Sequence, residues 1–385
     1  MRDFLAFNLG TTGIGSHPLD DSDKVIQDIL KSTITYPYIP QLKSDEMVLQ
    51  FHHKCPGLSI NRGSVILDVN TPDFEVKLRD FKTELGLKSL LLQPHGIEIS
   101  PEYFKSLFIF PKLLKDSSIH INGLKCQMTG PVTEAASIRI HPSNAKIIHN
   151  PELFDIIVDL SAEIAYWLSN YLLKIAKFNN ILTSNVILFV DEPLFPLSVE
   201  KDIPNEVAIK KISKVLQLIQ CKKGIHICDN PVTVIDLILD YPIDLFSYDA
   251  NKYPNSLKNT KIDILENYIE RGGGFAFGIT PNTPEDVFGI ENIPNIVNGE
   301  LNPSDFLPKP DDLIQTFEKN ILPLQTKQIS LQKLLSQSII TPACGFRNFN
   351  IPSIEEGERL VKQLLLIQEH AARILRKNYG LNEKK

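Results

Sequence analysis

Short apolar runs of β type recur along the chain, each ending in a cluster of Gly, Pro, Asp, Asn or His. Stretches with apolar residues at helical spacing separate them. The strand-like runs are residues 4–14, 124–128, 186–190, 224–228, 245–249, 274–279 and 339–344, with an eighth expected in 47–51 or 90–93. Helices are predicted over 23–31, 151–176, 206–220, 231–239, 261–270 and 353–377. The second of these places Leu153, Ile156, Ile157, Leu160, Ile164 and Leu168 on one stripe, and Asn150-Pro151 supplies its start signal. Strand-then-helix alternation without an internal repeat predicts the α/β class and a single (β/α)8 TIM barrel over residues 1–385. A doubly wound open sheet is the competing arrangement.

Two regions interrupt the alternation. Residues 40–80 carry the β-like run Val65-Ile66-Leu67-Asp68-Val69 beside a turn signal at Asn61-Arg62-Gly63, which predicts a β-hairpin excursion attached to an early barrel strand. Residues 281–310 hold six prolines, Pro281, Pro284, Pro294, Pro303, Pro308 and Pro310, which exclude a continuous helix or a central strand. This proline-rich loop follows a late strand and is expected over the barrel mouth.

Composition narrows the function classes. The 385 residues are 43% hydrophobic and 22% charged, which describes a globular chain with a large core. A formal charge of −6 leaves no global cationic excess for nucleic acid or an anionic membrane. Apolar runs such as Val186-Ile187-Leu188-Phe189-Val190 fall far short of the ~20 residues of a membrane helix. The N-terminal residues lack a secretory h-region, so a cytoplasmic location is expected. Five scattered cysteines, Cys55, Cys126, Cys221, Cys228 and Cys344, do not form a disulfide framework.

In a barrel the C-terminal strand ends share one mouth, where active sites are built. Those ends read Gly13-Ile14-Gly15-Ser16-His17-Pro18, Met128-Thr129-Gly130-Pro131, Asp191-Glu192-Pro193, His226-Ile227-Cys228-Asp229-Asn230, Ser247-Tyr248-Asp249 and Pro342-Ala343-Cys344-Gly345. His226 and Cys228 project to the same face of a strand, so both can reach one metal ion. Cys344, on the last strand, would lie beside the first and could add a third ligand, and Asp249 could donate an oxygen. One imidazole and two thiolates suit zinc. Burial of an ordinary histidine and free cysteines in a core is the alternative.

Asp191 and Glu192 alternate across their strand. One can face the mouth, as an ammonium holder or general base, or the pair can simply cap the next segment. The turn Gly10-Thr11-Thr12-Gly13-Ile14-Gly15-Ser16 lacks the third glycine of a dinucleotide fingerprint and a Walker lysine. It is either a structural turn or one whose amides receive a small anion such as a carboxylate. His52, His53, His95 and His141 lack metal spacing and are expected to be surface or structural residues.

Taken in order, these strand-end motifs resemble the catalytic barrel of cobalamin-independent methionine synthase, over roughly residues 8–375. That family shares a superfamily with uroporphyrinogen decarboxylase and the methylcobamide:coenzyme M methyltransferases. The resemblance implies a zinc-dependent methyltransferase that methylates a thiol such as homocysteine to give methionine. It makes His226, Cys228 and Cys344 metal ligands and puts Asp249 at the place of the family's glutamate ligand. Ile14, Gly15 and Ser16 match the turn that receives the substrate carboxylate, and Asp191 the acid that holds its ammonium. Leu49 stands where the synthase has a second amine-binding glutamate.

The full synthase carries a further N-terminal barrel for its polyglutamylated folate donor. A chain with one barrel is instead similar to short core enzymes, for which a corrinoid protein is the implied methyl donor and partner. The arginine-rich N-terminal motif of uroporphyrinogen decarboxylase is missing, since only Arg2 precedes residue 60. A metal-independent lyase or decarboxylase, a coenzyme M-type methyltransferase and a corrinoid-protein interaction module with a degenerate site are the alternative functions.

Overall fold

The computed structural model describes residues 7–32, 34–90 and 97–381. Seven strands build one curled, wholly parallel sheet: β1 (Gly10–Thr11), β4 (Leu124–Thr129), β7 (Val186–Asp191), β8 (Lys222–Ile227), β9 (Leu245–Tyr248), β10 (Gly274–Thr280) and β11 (Ile339–Pro342). Its order is β1-β11-β10-β9-β8-β7-β4. From β4 onward each strand therefore lies beside its successor, and the last, β11, pairs with the first, which leaves β1 and β4 as the two edges.

Both edges of this sheet bond to one stretch, residues 36–41. Tyr36 N donates to Thr11 O (2.9 Å) and Gln41 N to Gly15 O (2.9 Å), while Ile39 N donates to Lys125 O and Lys125 N to Pro37 O, both at 3.0 Å. The stretch makes only isolated bridges, Ser16 with Gln41 and Tyr38 with Lys125. Pro37 and Pro40 have no N–H, so a regular ladder cannot form there.

Alternation along the strands separates two apolar regions. Phe7, Tyr36, Ile187, Phe189, Leu245, Ala276 and Ile339 gather inside the curl. Residues of opposite parity, such as Leu188, Ile225, Phe246, Phe275 and Ile340, pack outward in the large core shared with the helices. Toward the C-terminal ends the inward face turns polar, and Thr129, Asp191, His226 and Ser247 form one registered row across β4, β7, β8 and β9.

The terminal helix Ile354–Asn378 ties the seam by polar contacts. Gln368 donates to Thr12 O (3.0 Å) and accepts from Thr280 Oγ1 (2.9 Å), and Arg376 donates to Leu9 O (2.9 Å). Among the described residues, no helix is long and apolar enough to cross a membrane.

Several expectations need correction. Residues 47–51 are not a strand: the Glu46 carboxylate accepts from Val48 N (2.8 Å) and Leu49 N (2.7 Å) and starts the short helix Leu49–His52. The alternative at 90–93 begins at the end of the helix Phe74–Leu90, and its other residues lie outside the described ones. The first strand shortens to Gly10–Thr11 because Asn8 and Leu9 have positive φ; residues 4–6 are likewise outside the described set.

The hairpin forms from β2 (Leu58–Asn61) and β3 (Ser64–Asp68), turning at Arg62 and Gly63, both with positive φ. It does not join the main sheet. It pairs with β5 (Arg139–His141), which in turn pairs with β6 (Ala145–Lys146), as a separate four-stranded sheet. Residues 281–310 are less irregular than expected, because prolines stand in the first turns of the short helices Pro284–Phe288, Ile293–Val297 and Pro303–Phe306.

Candidate metal centre

Parity along β8 turns His226 inward and Ile227 outward, and Cys228 follows at the strand end. Cys344 stands just beyond β11, brought close by curvature of the sheet. One ligand atom each from His226, Cys228 and Cys344 lies within 4.8 Å of the others. His226 is buried, and its Nδ1 is 2.9 Å from Ser247 Oγ on the neighbouring strand. Its Nε2 is buried and has no hydrogen-bond partner. A buried polar nitrogen without a partner is costly unless something binds there. The three donors form a soft, compact set that fits zinc.

The two thiols are unequal. Cys228 is pulled down to about 5, first because the Cys344 thiol donates to its thiolate, and also because His226 stands beside it. Cys344 is pushed up by the same contact and by burial. The pair therefore holds one proton between them, and a cation at this place would displace it.

Asp191 and Glu192 divide as their alternation requires. Asp191 is in register with His226, and its Oδ1 is buried without a partner. Burial raises its carboxyl to about 6, against the opposing pull of His226 and Lys125. Glu192 turns away and caps the helix Pro131–Ser137, accepting from Val132 N (3.0 Å), Thr133 N (2.8 Å) and Thr133 Oγ1 (2.7 Å).

The Ile14–Gly15–Ser16 turn lies against the segment that follows Cys344. Phe346 N donates to Ser16 O (2.7 Å), and a Cβ on Gly345 would stand 1.9 Å from Ser16 Oγ. Gly15 has φ +113°, and a Cβ there would meet the Gln127 carboxamide at 2.6 Å. Asp249 is not brought into the three-residue group. Its Oδ1 accepts from Asn251 N (3.0 Å) and Lys252 N (2.8 Å), closing its own turn.

The sequence assigns no role to Ser247, although it stands in a strand-end run, and leaves Lys125 and Gln127 unmarked. Each shares inward parity with a residue it did single out: Ser247 with Asp249, and Lys125 and Gln127 with Thr129. It also missed the partners of His17, whose buried ring meets Tyr38 Oη at 2.6 Å and Glu358 at 3.3 Å. His52 is structural, bonded to Ser161 (2.9 Å) and paired with buried Glu134 (3.3 Å), whereas His95 lies outside the described residues.

No protein-family model and no curated protein sequence matches the chain. Solved structures do. A B12-independent methionine synthase from Shewanella sp. W3-18-1, in complex with selenomethionine, superposes with a TM-score of 0.57 at 13% identity, covering 97% of this chain and 99% of that one. The chain shares that synthase's fold. A methyltransferase from Methanosarcina mazei gives a TM-score of 0.48 at 11% identity, over 92% of this chain and 93% of that one. The match to the synthase runs nearly the full length of both chains, so the likeness extends over the whole fold.

Proposed function

We propose that this chain is a zinc-dependent methyltransferase that methylates the thiol of a homocysteine-like amino acid, giving methionine. The observation that carries this reading is the meeting of a His226 ring nitrogen with the Cys228 and Cys344 sulfurs inside 4.8 Å at the strand ends, while Nε2 of that ring is buried without a hydrogen-bond partner. These three side chains would hold the ion, leaving a fourth position for the acceptor sulfur. Zinc bound there supplies a Lewis acid that favours the acceptor's thiolate, the nucleophile toward a methyl carbon, at neutral pH.

The remaining groups read as an amino-acid clamp. Asp191, with its free Oδ1, would take the ammonium, and the Ile14–Ser16 turn beside Cys344 would take the carboxylate. The synthase neighbour's selenomethionine is an amino acid with both groups. In the transfer the acceptor thiol gives up its proton, its sulfur forms the new S–CH3 bond, and the donor keeps the electron pair of the bond that breaks.

The reading places the chain in the methionine-synthase-like superfamily as the short, single-barrel type, with residues 36–41 as the eighth stave. A corrinoid protein is the proposed methyl donor, with methyl-folate as the alternative that the transfer assay separates. Five free cysteines fit a reducing, cytoplasmic setting. The test is methyl transfer from methylcobalamin and from methyl-folate to homocysteine and to coenzyme M, with zinc quantified in protein purified without added metal. About one equivalent of zinc and metal-dependent transfer are expected. Activity that survives removal of the metal would overturn the reading.

A further inference from the structure

Lys125 is the one lysine buried among the described residues, 1% exposed and inside the curl of the sheet. Its ammonium has no carboxylate within ion-pair distance among those residues. It donates to Gln127 Oε1 at 2.8 Å and lies 5.3 Å from the centroid of the Phe189 ring. Because Gln127 is two residues nearer the strand's C-terminal end, the lysine reaches toward the mouth. Burying an ammonium with so few partners is costly, and a hydrophobic side chain of similar length would fill the same space without that cost.

Gln127 carries the connection upward. Its Oε1 is occupied by Lys125 and its Nε2 donates to Ile39 O at 3.0 Å, which fixes the carboxamide in one orientation. The amide lies directly beneath Gly15, at the place where a Cβ would stand. The lysine's charge is also felt by the Asp191 carboxylate and the Cys344 sulfur. Lys125 and Gln127 thus form a buried polar post with the glycine turn at its top.

We propose that Lys125 is a positioning residue of the amino-acid site, holding Gln127 against Gly15 and placing a positive charge beneath the turn that receives the substrate carboxylate. The inference rests on the amino-acid reading of that turn. It explains why an interior position on β4 holds a cation: the ligand group above it is an anion. The field is strong because the post is shielded from water.

The test compares two ligands that differ only in the carboxylate, L-methionine and 3-(methylthio)propylamine, by calorimetry on the zinc-loaded full chain. The wild type is expected to prefer methionine. Lys125→Met should weaken methionine about tenfold while leaving the amine unchanged or slightly tighter, since a buried like charge is removed. Gln127→Glu, nearly isosteric, should shift methionine in the same direction by adding a carboxylate under the turn, and it covers the case in which Lys125→Met fails to fold. A wild-type preference that survives in the folded variants, or an equal loss for both ligands, overturns the role of Lys125. A wild type without preference overturns the amino-acid reading itself, and this inference with it.

Discussion

Ser247 Oγ stands 2.9 Å from His226 Nδ1, one strand over in direct register, and leaves Nε2 as the free nitrogen of the ring. A ring held through one nitrogen presents the other in a fixed direction, which is how neighbouring residues tune a ligating histidine. Ser247→Ala should therefore keep the fold and weaken zinc about ten- to a hundredfold. Competition with a chromogenic chelator measures this. An unchanged zinc affinity would show that Ser247 does not orient the ring.

The proton shared by Cys228 and Cys344 makes one thiol conspicuous in metal-free protein. Cys228, held at about 5, is a thiolate at pH 6.5, whereas burial pushes Cys55, Cys126 and Cys221 up to about 12. Iodoacetamide at pH 6.5 should label Cys228 first, as read by peptide mass mapping. Cys344→Ala removes the main cause of the low value, so labelling of Cys228 at that pH should slow. Zinc should protect Cys228 in the wild type.

The parallel strands and most helices were legible because burial imposes periodicity: an interior strand such as 186–191 must be apolar on both faces, and a helix such as 151–178 must carry a stripe. The strand-end chemistry was legible for the same reason, since parity alone puts His226 and Cys228 on one side. Residues 36–41 were not recognisable as a connection between the sheet edges. Pro37 and Pro40 remove the ladder that strand patterns reflect, and the stretch is held by single bonds to partners as distant as Lys125. The post under Gly15 was hidden as well, because a lysine in a strand ordinarily signals solvent, and only the register of the curled sheet shows that Lys125 faces inward. Asp249 looked like an oxygen ligand by order along the chain, whereas the short-range demand of its own turn takes its Oδ1.

Gly15 combines φ +113° with a contact that leaves no room for a Cβ. Gly15→Ala must both adopt a backbone region that L-residues avoid and displace the Gln127 carboxamide. The expected cost is about 1–3 kcal/mol of stability. Methionine affinity should fall while zinc content holds, because Gly15 lies in the turn and not among the proposed metal ligands. Denaturant titration and calorimetry on the same sample check both parts.

Adjacent Asp191 and Glu192 should answer to mutation in opposite ways. Glu192 accepts three hydrogen bonds at the start of the helix Pro131–Ser137, so Glu192→Ala strands buried donors and should cost about 1–3 kcal/mol. Asp191, in the proposed reading, is held for a ligand. Its carboxyl is raised from 3.8 to about 6 in the folded chain, chiefly by burial, with Cys228 adding to the rise while His226 and Lys125 oppose it. The folded state therefore binds the extra proton between those values, and stability falls as pH rises through that window and stays lower above it. Asp191→Asn cannot ionise, so metal-free variant should melt higher than wild type at pH 8 and show no such advantage at pH 3.5. The same substitution removes the ammonium's partner and should weaken methionine at pH 8 by about ten- to a hundredfold. Thermal melts at the two pH values, with calorimetry at the higher, decide the matter: a variant that melts lower at pH 8 would mean that Asp191 is held for the fold and not for a ligand.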